Sequence, residues 1–319
     1  MATCHFRGPL AFRLQHFLDT RRATGRDTSS IEWILRDLDG FLMGELMPGQ
    51  TITPEIAGRW IASMGHLSPG TRCNKISILR QFCFYLSHFD PRTCLIRRTQ
   101  FPRRTRPIPH IYTRAEVRRI MAAAGRIGPA GSLRPALVST LFGLLYATGI
   151  RIGEALNLVL GDIDLRRRAI EIREGKFKKS RLVPLSPSAA RHLAVYLRQR
   201  RRAGFPNSSS SFVFVAARGG RFWQPTLATI FLDIVRGLGL RGPRGEPGPR
   251  IHDFRHSFAV NRLLAWYRQG ANMGAKLPLL STYLGHTTVL GTEIYLHATA
   301  ELLESAGRLF DNYRARKAA

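Results

Sequence analysis

Through the first hundred residues apolar side chains return every three or four positions, the spacing of helices that each bury one face. The clearest run puts Ile31, Ile34, Leu35, Leu38, Phe41 and Leu42 on one side, with Ser29 and Glu32 at capping-box spacing before it. Thr53-Pro54 and Ser68-Pro69 each join a capping hydroxyl to a proline, which a first helical turn tolerates, so two more helices are expected to start there. The helix after Ser68 carries Ile76, Leu79, Cys83 and Leu86 on its apolar side and offers Arg72, Lys75 and Arg80 elsewhere on its surface. Four helices joined by short turns are the reading for this region.

The pattern breaks at residues 97–109, where Arg97, Arg98, Arg103, Arg104 and Arg106 are interspersed with Pro102, Pro107 and Pro109. Prolines so placed preclude a continuous helix, and the stretch reads as a basic linker between a domain at 1–96 and another at 110–319. Helical spacing then resumes. Thr113-Arg114-Ala115-Glu116 predicts a capping box ahead of Val117, Ile120 and Met121, and a strongly apolar helix over residues 133–146 is expected at the centre of the second core. Residues 169–173 and 181–185 alternate with period two, which predicts a β-hairpin turning at 174–180. Ser186-Pro187 begins a helix ending near Arg200-Arg201-Arg202, residues 212–215 read as a short strand, and the Gly-, Pro- and Arg-rich stretch 237–249 as a flexible loop. The predicted fold class is mainly α with a small antiparallel β-sheet.

Charge narrows the partner. The 319 residues hold 49 Lys plus Arg against 21 Asp plus Glu, a formal charge of +28. Residues 1–105 contain 15 basic and 8 acidic side chains, so both domains are basic. Such a charge repels itself unless a polyanion is bound, and the arginines recur within predicted helices instead of in one tail. Arginine enrichment for solubility alone is the plainer alternative. The longest apolar run, Leu137 to Ile150, is interrupted by Ser139, Thr140, Gly143, Thr148 and Gly149 and is too short to span a bilayer. The start lacks an apolar signal-peptide segment, so a cytoplasmic location and no membrane partner are expected. Cys4, Cys73, Cys83 and Cys94 show no Cys-x-x-Cys pair, so buried reduced thiols are expected, with neither zinc nor disulfides.

Cutting a phosphodiester with a side-chain hydroxyl needs a nucleophile, cations for the charge building on the non-bridging oxygens, and a proton donor for the departing oxygen. The second domain has a candidate for each. Arg151 follows Ala147-Thr148-Gly149-Ile150 at a turn into a helix, where its planar fork can face two phosphate oxygens, and Glu154 one turn on is placed to orient it. His252 and Arg255, three apart at a helix start, share a face; His256 points away and is left outside the site. Lys176, Lys178 and Lys179 lie together in the hairpin turn, each able to donate a proton. His286 follows Leu284-Gly285, and Tyr295 lies nine residues later, in Thr292-Glu293-Ile294-Tyr295. Taken singly, each is an ordinary surface or core residue.

Together, in this order, the segments resemble the catalytic domain of the tyrosine recombinases, the phage-integrase family, over roughly residues 110–305. The first hundred residues resemble that family's helical, SAM-like core-binding domain more weakly. The resemblance implies a DNA clamp of two domains, with Arg151, Lys176, His252, Arg255, His286 and Tyr295 as the catalytic set and Tyr295 as nucleophile. It favours Lys176 among the three lysines, although Phe177 replaces the second glycine of the common Gly-Lys-Gly-x-Lys-x-Arg pattern. It also implies a 3′-phosphotyrosyl intermediate, no cofactor and no metal, double-stranded DNA as partner and a homo-tetramer on synapsed sites. An accessory recombinase or a host DNA-bending protein would fit the same scheme. Arg72, Lys75, Arg80, Arg103, Arg104, Lys178 and Lys179 are the expected DNA-binding residues. The segment 266–278 is longer than in compact chromosome-resolving members and looks more like transposon-encoded ones, so integration, excision or transposition of a mobile element is the expected outcome. Leu302, Leu303, Leu309 and Phe310 in the tail could pack in cis or on a neighbouring subunit. Two rivals stand beside this reading: type IB topoisomerase-like relaxation, and a DNA-binding relative without the chemistry.

Overall fold

The structure is a computed structural model; it describes residues 6–25, 28–97, 101–102, 108–129, 131–173, 180–243, 245–285 and 288. The chain divides into two compact units, Met1–Arg106 and Pro107–Ala319. Most of the expected linker, including Arg103 and Arg104, lies outside the described residues.

Among the described residues of the first unit four helices surround one apolar core: α1 (Ala11–Ala23), α2 (Ser29–Leu42), α3 (Pro54–Ser63) and α4 (Pro69–Ser87). Thr53 and Ser68 cap α3 and α4 as expected, their hydroxyls accepting from the amides of Ile56 and Thr71. The Ser29 side chain of the capping box expected at α2 lies outside the described residues. The helix begins at Ser29, and the Glu32 carboxylate pairs with Arg22 and Arg36. Ile76, Leu79, Cys83 and Leu86 of α4 are all buried. Among the described cysteines Cys83 alone is fully buried, and Cys73 and Cys94 are half-buried free thiols.

The second unit is built on α6 (Arg134–Thr148), whose Leu137, Val138, Leu141, Phe142, Leu144 and Leu145 are buried in the core. An apolar helix of this kind is covered on several sides, and α5 (Arg114–Ala124), α8 (Pro187–Arg202) and α10 (Asp253–Arg268) pack on it. The Thr113–Glu116 capping box at α5 is present. Phe254 of α10 contacts the rings of Tyr112, Phe142, Tyr146 and Phe231, so the start of α10 is anchored in the core.

The expected hairpin is present as β2 (Ala169–Ile172) and β3 (Arg181–Pro184), paired antiparallel, and β1 (Ile163–Asp164) adds a third strand. Two residues give β1 no readable period. Residues 212–215 form only isolated bridges, Val159 to Phe212 and Val215 to Arg221, in place of the strand expected there. Helix α9 (Gln224–Gly237) was not among the expected elements, although Leu227, Ile230, Phe231 and Ile234 carry helical spacing. In the loop that follows, Arg241 donates to the carbonyls of Glu246, Gly248 and Pro249, which closes the segment upon itself.

Two chain turns set up the site. α6 ends at Gly149 in the left-handed region, with φ +64°, and the chain re-enters a short helix, α7 (Ile152–Asn157), directly after Arg151. Glycine is required there twice over, since a Cβ would also lie 2.5 Å from the Phe258 ring. α11 (Met273–Leu284) ends the same way at Gly285, with φ +66°. No described helix is long and apolar enough to cross a membrane.

Candidate active site

The last carbonyls of a helix have no partner within it and carry the negative end of its dipole. At the end of α11 three guanidinium groups meet them. Arg181 Nε donates to the Tyr283 carbonyl at 2.7 Å, Arg255 Nη2 to that of Leu284 at 2.6 Å, and Arg151 Nη2 to that of Gly285 at 2.8 Å. Arg255 Nη1 also reaches the Gly149 carbonyl at 2.8 Å, tying α10 to the turn that precedes Arg151. A Cβ on residue 285 would sit 3.0 Å from Arg181 Nη1 and 3.3 Å from Arg151 Nη1, so the chain passes close over both arginines.

One carboxylate orders the cluster. Glu154 Oε1 accepts from Arg151 Nη1 at 2.8 Å and from Arg181 Nη1 at 3.1 Å; Oε2 accepts from Arg181 Nη2 at 2.8 Å and from the Arg151 amide at 2.9 Å. Its side chain is 8% exposed, against 25% for Arg151. Burial alone would raise the Glu154 pKa, but the bonds from Arg181 and Arg151 outweigh it and hold the carboxyl below its ordinary value. Two guanidinium groups share one carboxylate in a partly closed space, a charge environment that a phosphate oxygen would complement.

His252 stands immediately before α10 and Arg255 one turn inside it. The His252 ring is edge-on to that of His256 at 4.9 Å. Packing on its inner side, and then the Arg255 charge, push the His252 pKa down, favouring a neutral imidazole. Asp253, buried beside it, pairs with Arg250 at 2.8 Å and takes no part in the arginine cluster.

Residues 111–301 match the phage integrase family. The chain belongs to that family. A protein of Sinorhizobium fredii named integrase/recombinase y4rB is 35% identical over 92% of this chain and 95% of its own length. Tyrosine recombinase XerD of Lacticaseibacillus casei is 29% identical over 90% of this chain and 93% of its own. The integrase of transposon Tn1549, solved with transposon right-end DNA, shares the fold at TM-score 0.65 and 17% identity, covering 94% of this chain and 98% of that one. A lambda integrase dimer bound to a core site shares it at TM-score 0.64 and 16% identity, covering 91% and 77%.

In this phage-integrase chain, then, the structure brings Arg151, Glu154, His252 and Arg255 together beside the turn that leads to residue 286. Lys176, Lys178, Lys179, His286 and Tyr295 lie outside the described residues. The expected DNA-binding residues of the first unit divide. Arg80 is exposed and Arg72 half-buried, but Lys75 is 5% exposed. Its ammonium pairs with Asp37 at 2.7 Å and lies 4.9 Å from the Trp33 ring centre and 5.8 Å from that of Trp60. The expectation that Lys75 stands on the surface is therefore corrected, because its charge is already matched within the domain. Arg181 was not among the expected site residues. Its one sequence clue was its place at the end of the Gly-Lys-x-x-Lys-x-Arg wording.

Proposed function

We propose that this chain is a site-specific DNA recombinase that breaks and rejoins strands through a covalent bond to Tyr295. The observation that carries the proposal is the convergence of Arg151 and Arg255 on the Leu284-Gly285 turn, from which the chain runs on to His286 and Tyr295. Family membership and the relatives named integrase and recombinase support it.

In the proposed step the Tyr295 phenolate attacks the scissile phosphorus and a P–O bond to tyrosine forms as the bond to the 5′-oxygen breaks. Arg151 and Arg255 stabilise the charge on the non-bridging oxygens, with His252 and His286 hydrogen-bonding the phosphate. The phenol has an unperturbed pKa near 10, so surrounding cations or a base must favour its ionised form. Lys176 delivers the proton that the leaving 5′-oxygen takes up. Attack by a 5′-hydroxyl of another strand reverses each transfer, and the phosphodiester's free energy is kept in the protein–DNA bond throughout. The scheme consumes neither nucleotide nor reductant.

We extend the proposal to the assembly and its setting: double-stranded DNA held between the two domains as in a clamp, Arg72 and Arg80 on its backbone, and a homo-tetramer on two synapsed sites. The 266–278 segment, which forms the end of α10, a turn and the start of α11, supports a mobile-element role in integration or excision.

The test is covalent trapping on nicked DNA taken from the flanks of the gene, with wild type and Tyr295→Phe side by side. A denaturant-resistant adduct formed by wild type and absent from the variant is expected. Tight binding without any adduct would overturn the proposal.

A further inference from the structure

Arg181 has no part in the chemistry set out above, yet it donates three hydrogen bonds within the cluster. It stands at the first position of β3. From there its three nitrogens reach two other elements: both carboxylate oxygens of Glu154 at the start of α7, at 3.1 and 2.8 Å, and the Tyr283 carbonyl at the end of α11, at 2.7 Å. The side chain is 12% exposed and the Glu154 side chain 8%, so the fork-to-fork pair is largely withdrawn from water. Arg181 Nη1 is also the nearest atom to the space where residue 285 would carry a Cβ.

Geometry of this kind constrains three things at once. A bidentate pair fixes the plane of the carboxylate, and Glu154 in turn fixes the Arg151 guanidinium through Oε1 and its amide through Oε2. The bond to the Tyr283 carbonyl fixes the turn that the Arg151 and Arg255 forks also contact. Arg181 itself is held by the β2–β3 ladder, through the pairing of Ile172 with Arg181. Lysine could supply the charge but not the planar fork, so it could satisfy one of these partners and not all.

We infer that Arg181 is a positioning residue for strand cleavage, acting through Glu154 and the end of α11 to set the orientation of Arg151 and of the turn before His286. The inference rests on the recombinase reading of this site. Because reacting groups displaced by about 1 Å can lose on the order of 100-fold in rate, a strut of this kind affects the chemical step more than the binding of DNA.

The experiment measures single-turnover adduct formation on a nicked suicide substrate at saturating DNA, together with DNA affinity and thermal unfolding, for full-length wild type, Arg181→Lys, Arg181→Gln, Arg181→Ala and Tyr295→Phe. Arg181→Gln is expected to slow adduct formation by about 100-fold and Arg181→Lys by about tenfold, with DNA affinity within about twofold of wild type. Low concentrations of guanidinium ion are expected to restore part of the Arg181→Ala rate, while sodium at equal ionic strength does not. Adduct formation at the wild-type rate in Arg181→Gln and Arg181→Lys overturns the inference alone. Rate, affinity and unfolding temperature falling together in both variants, without guanidinium rescue, also overturns it in favour of a purely structural strut. No adduct with wild type overturns the recombinase reading and this inference with it, a result distinguishable from the others because the wild-type arm itself is blank.

Discussion

The two units bury charge in opposite ways. In the first, the Lys75 ammonium is enclosed by Asp37 and the faces of Trp33 and Trp60, so the cation is matched where it stands. In the second, Arg151 and Arg181 share the single carboxylate of Glu154, and Arg151, Arg181 and Arg255 each donate to a backbone carbonyl at the end of α11. A domain built only for stability would match such a cluster one to one or replace it with apolar packing, because two guanidinium groups on one carboxylate are costly away from water. Retaining it makes sense where a polyanion supplies the missing charge. Lys75 is thus matched one to one within its own unit, while the arginines are organised as the frame of the candidate site.

The most damaging way to probe that difference is Arg255→Met. It leaves the Gly149 and Leu284 carbonyls without their donors inside the second unit. A loss of about 4 kcal/mol is expected, measured by denaturant unfolding, with the faster hydrogen exchange concentrated in α10 and α11. A second unit as stable as wild type would mean that its cations contribute nothing to its own frame.

Acidity probes the same unit less severely. His256 is buried, and burial first and the neighbouring His252 second lower its pKa to about 4. Its unfolded-state value is near 6.5, so the stability it contributes is complete above that pH and is lost as pH falls from there towards 4. The loss amounts to about 3 kcal/mol across that window. His252 titrates in the same direction, and Glu154, whose carboxyl is held low, adds a further loss below its unfolded value of 4.5. His256→Gln should flatten the curve between pH 6.5 and 4, read from unfolding midpoints at a series of pH values. An unchanged slope would show that the imidazole is not the group responsible.

Gly149→Ala tests the turn that aims Arg151. Positive φ and the Phe258 ring 2.5 Å from the new methyl oppose it together, and a cost of about 2 kcal/mol is expected in thermal or denaturant unfolding. The smallest effect belongs to the first unit. Lys75→Met keeps the buried stem and leaves Asp37, 40% exposed, able to meet water. Stability should change by no more than about 1 kcal/mol, and DNA affinity in a filter or mobility-shift assay should stay at the wild-type level. A large loss of affinity would return Lys75 to the DNA-binding surface and erase the contrast.

Much of this was legible before the structure. Capping hydroxyls beside prolines marked α3 and α4, the capping box marked α5, and period two marked the hairpin, because each signal is local and physical. Arg151, Glu154, His252 and Arg255 were legible as motif wording. The partnership of Glu154 with Arg181 was not, since it joins residues 27 apart through a strand and a helix that only the tertiary fold brings together. Lys75 was misread for a related reason. Its place on α4 suggests surface, and only the positions of Asp37, Trp33 and Trp60 on other helices decide that it is enclosed. β1 was invisible because two residues cannot display a period.

The bond from Arg151 to the Gly285 carbonyl spans 134 residues, and that from Arg181 to Tyr283 spans 102. Contacts so distant along the chain close late in folding, after the local helices have formed. During synthesis, α6 and the Arg151 turn emerge well before α11 exists to receive their guanidinium groups. A half-made chain therefore holds the cations without the frame that aims them, and that frame comes into being only as α11 folds back beside β3 and the Arg151 turn.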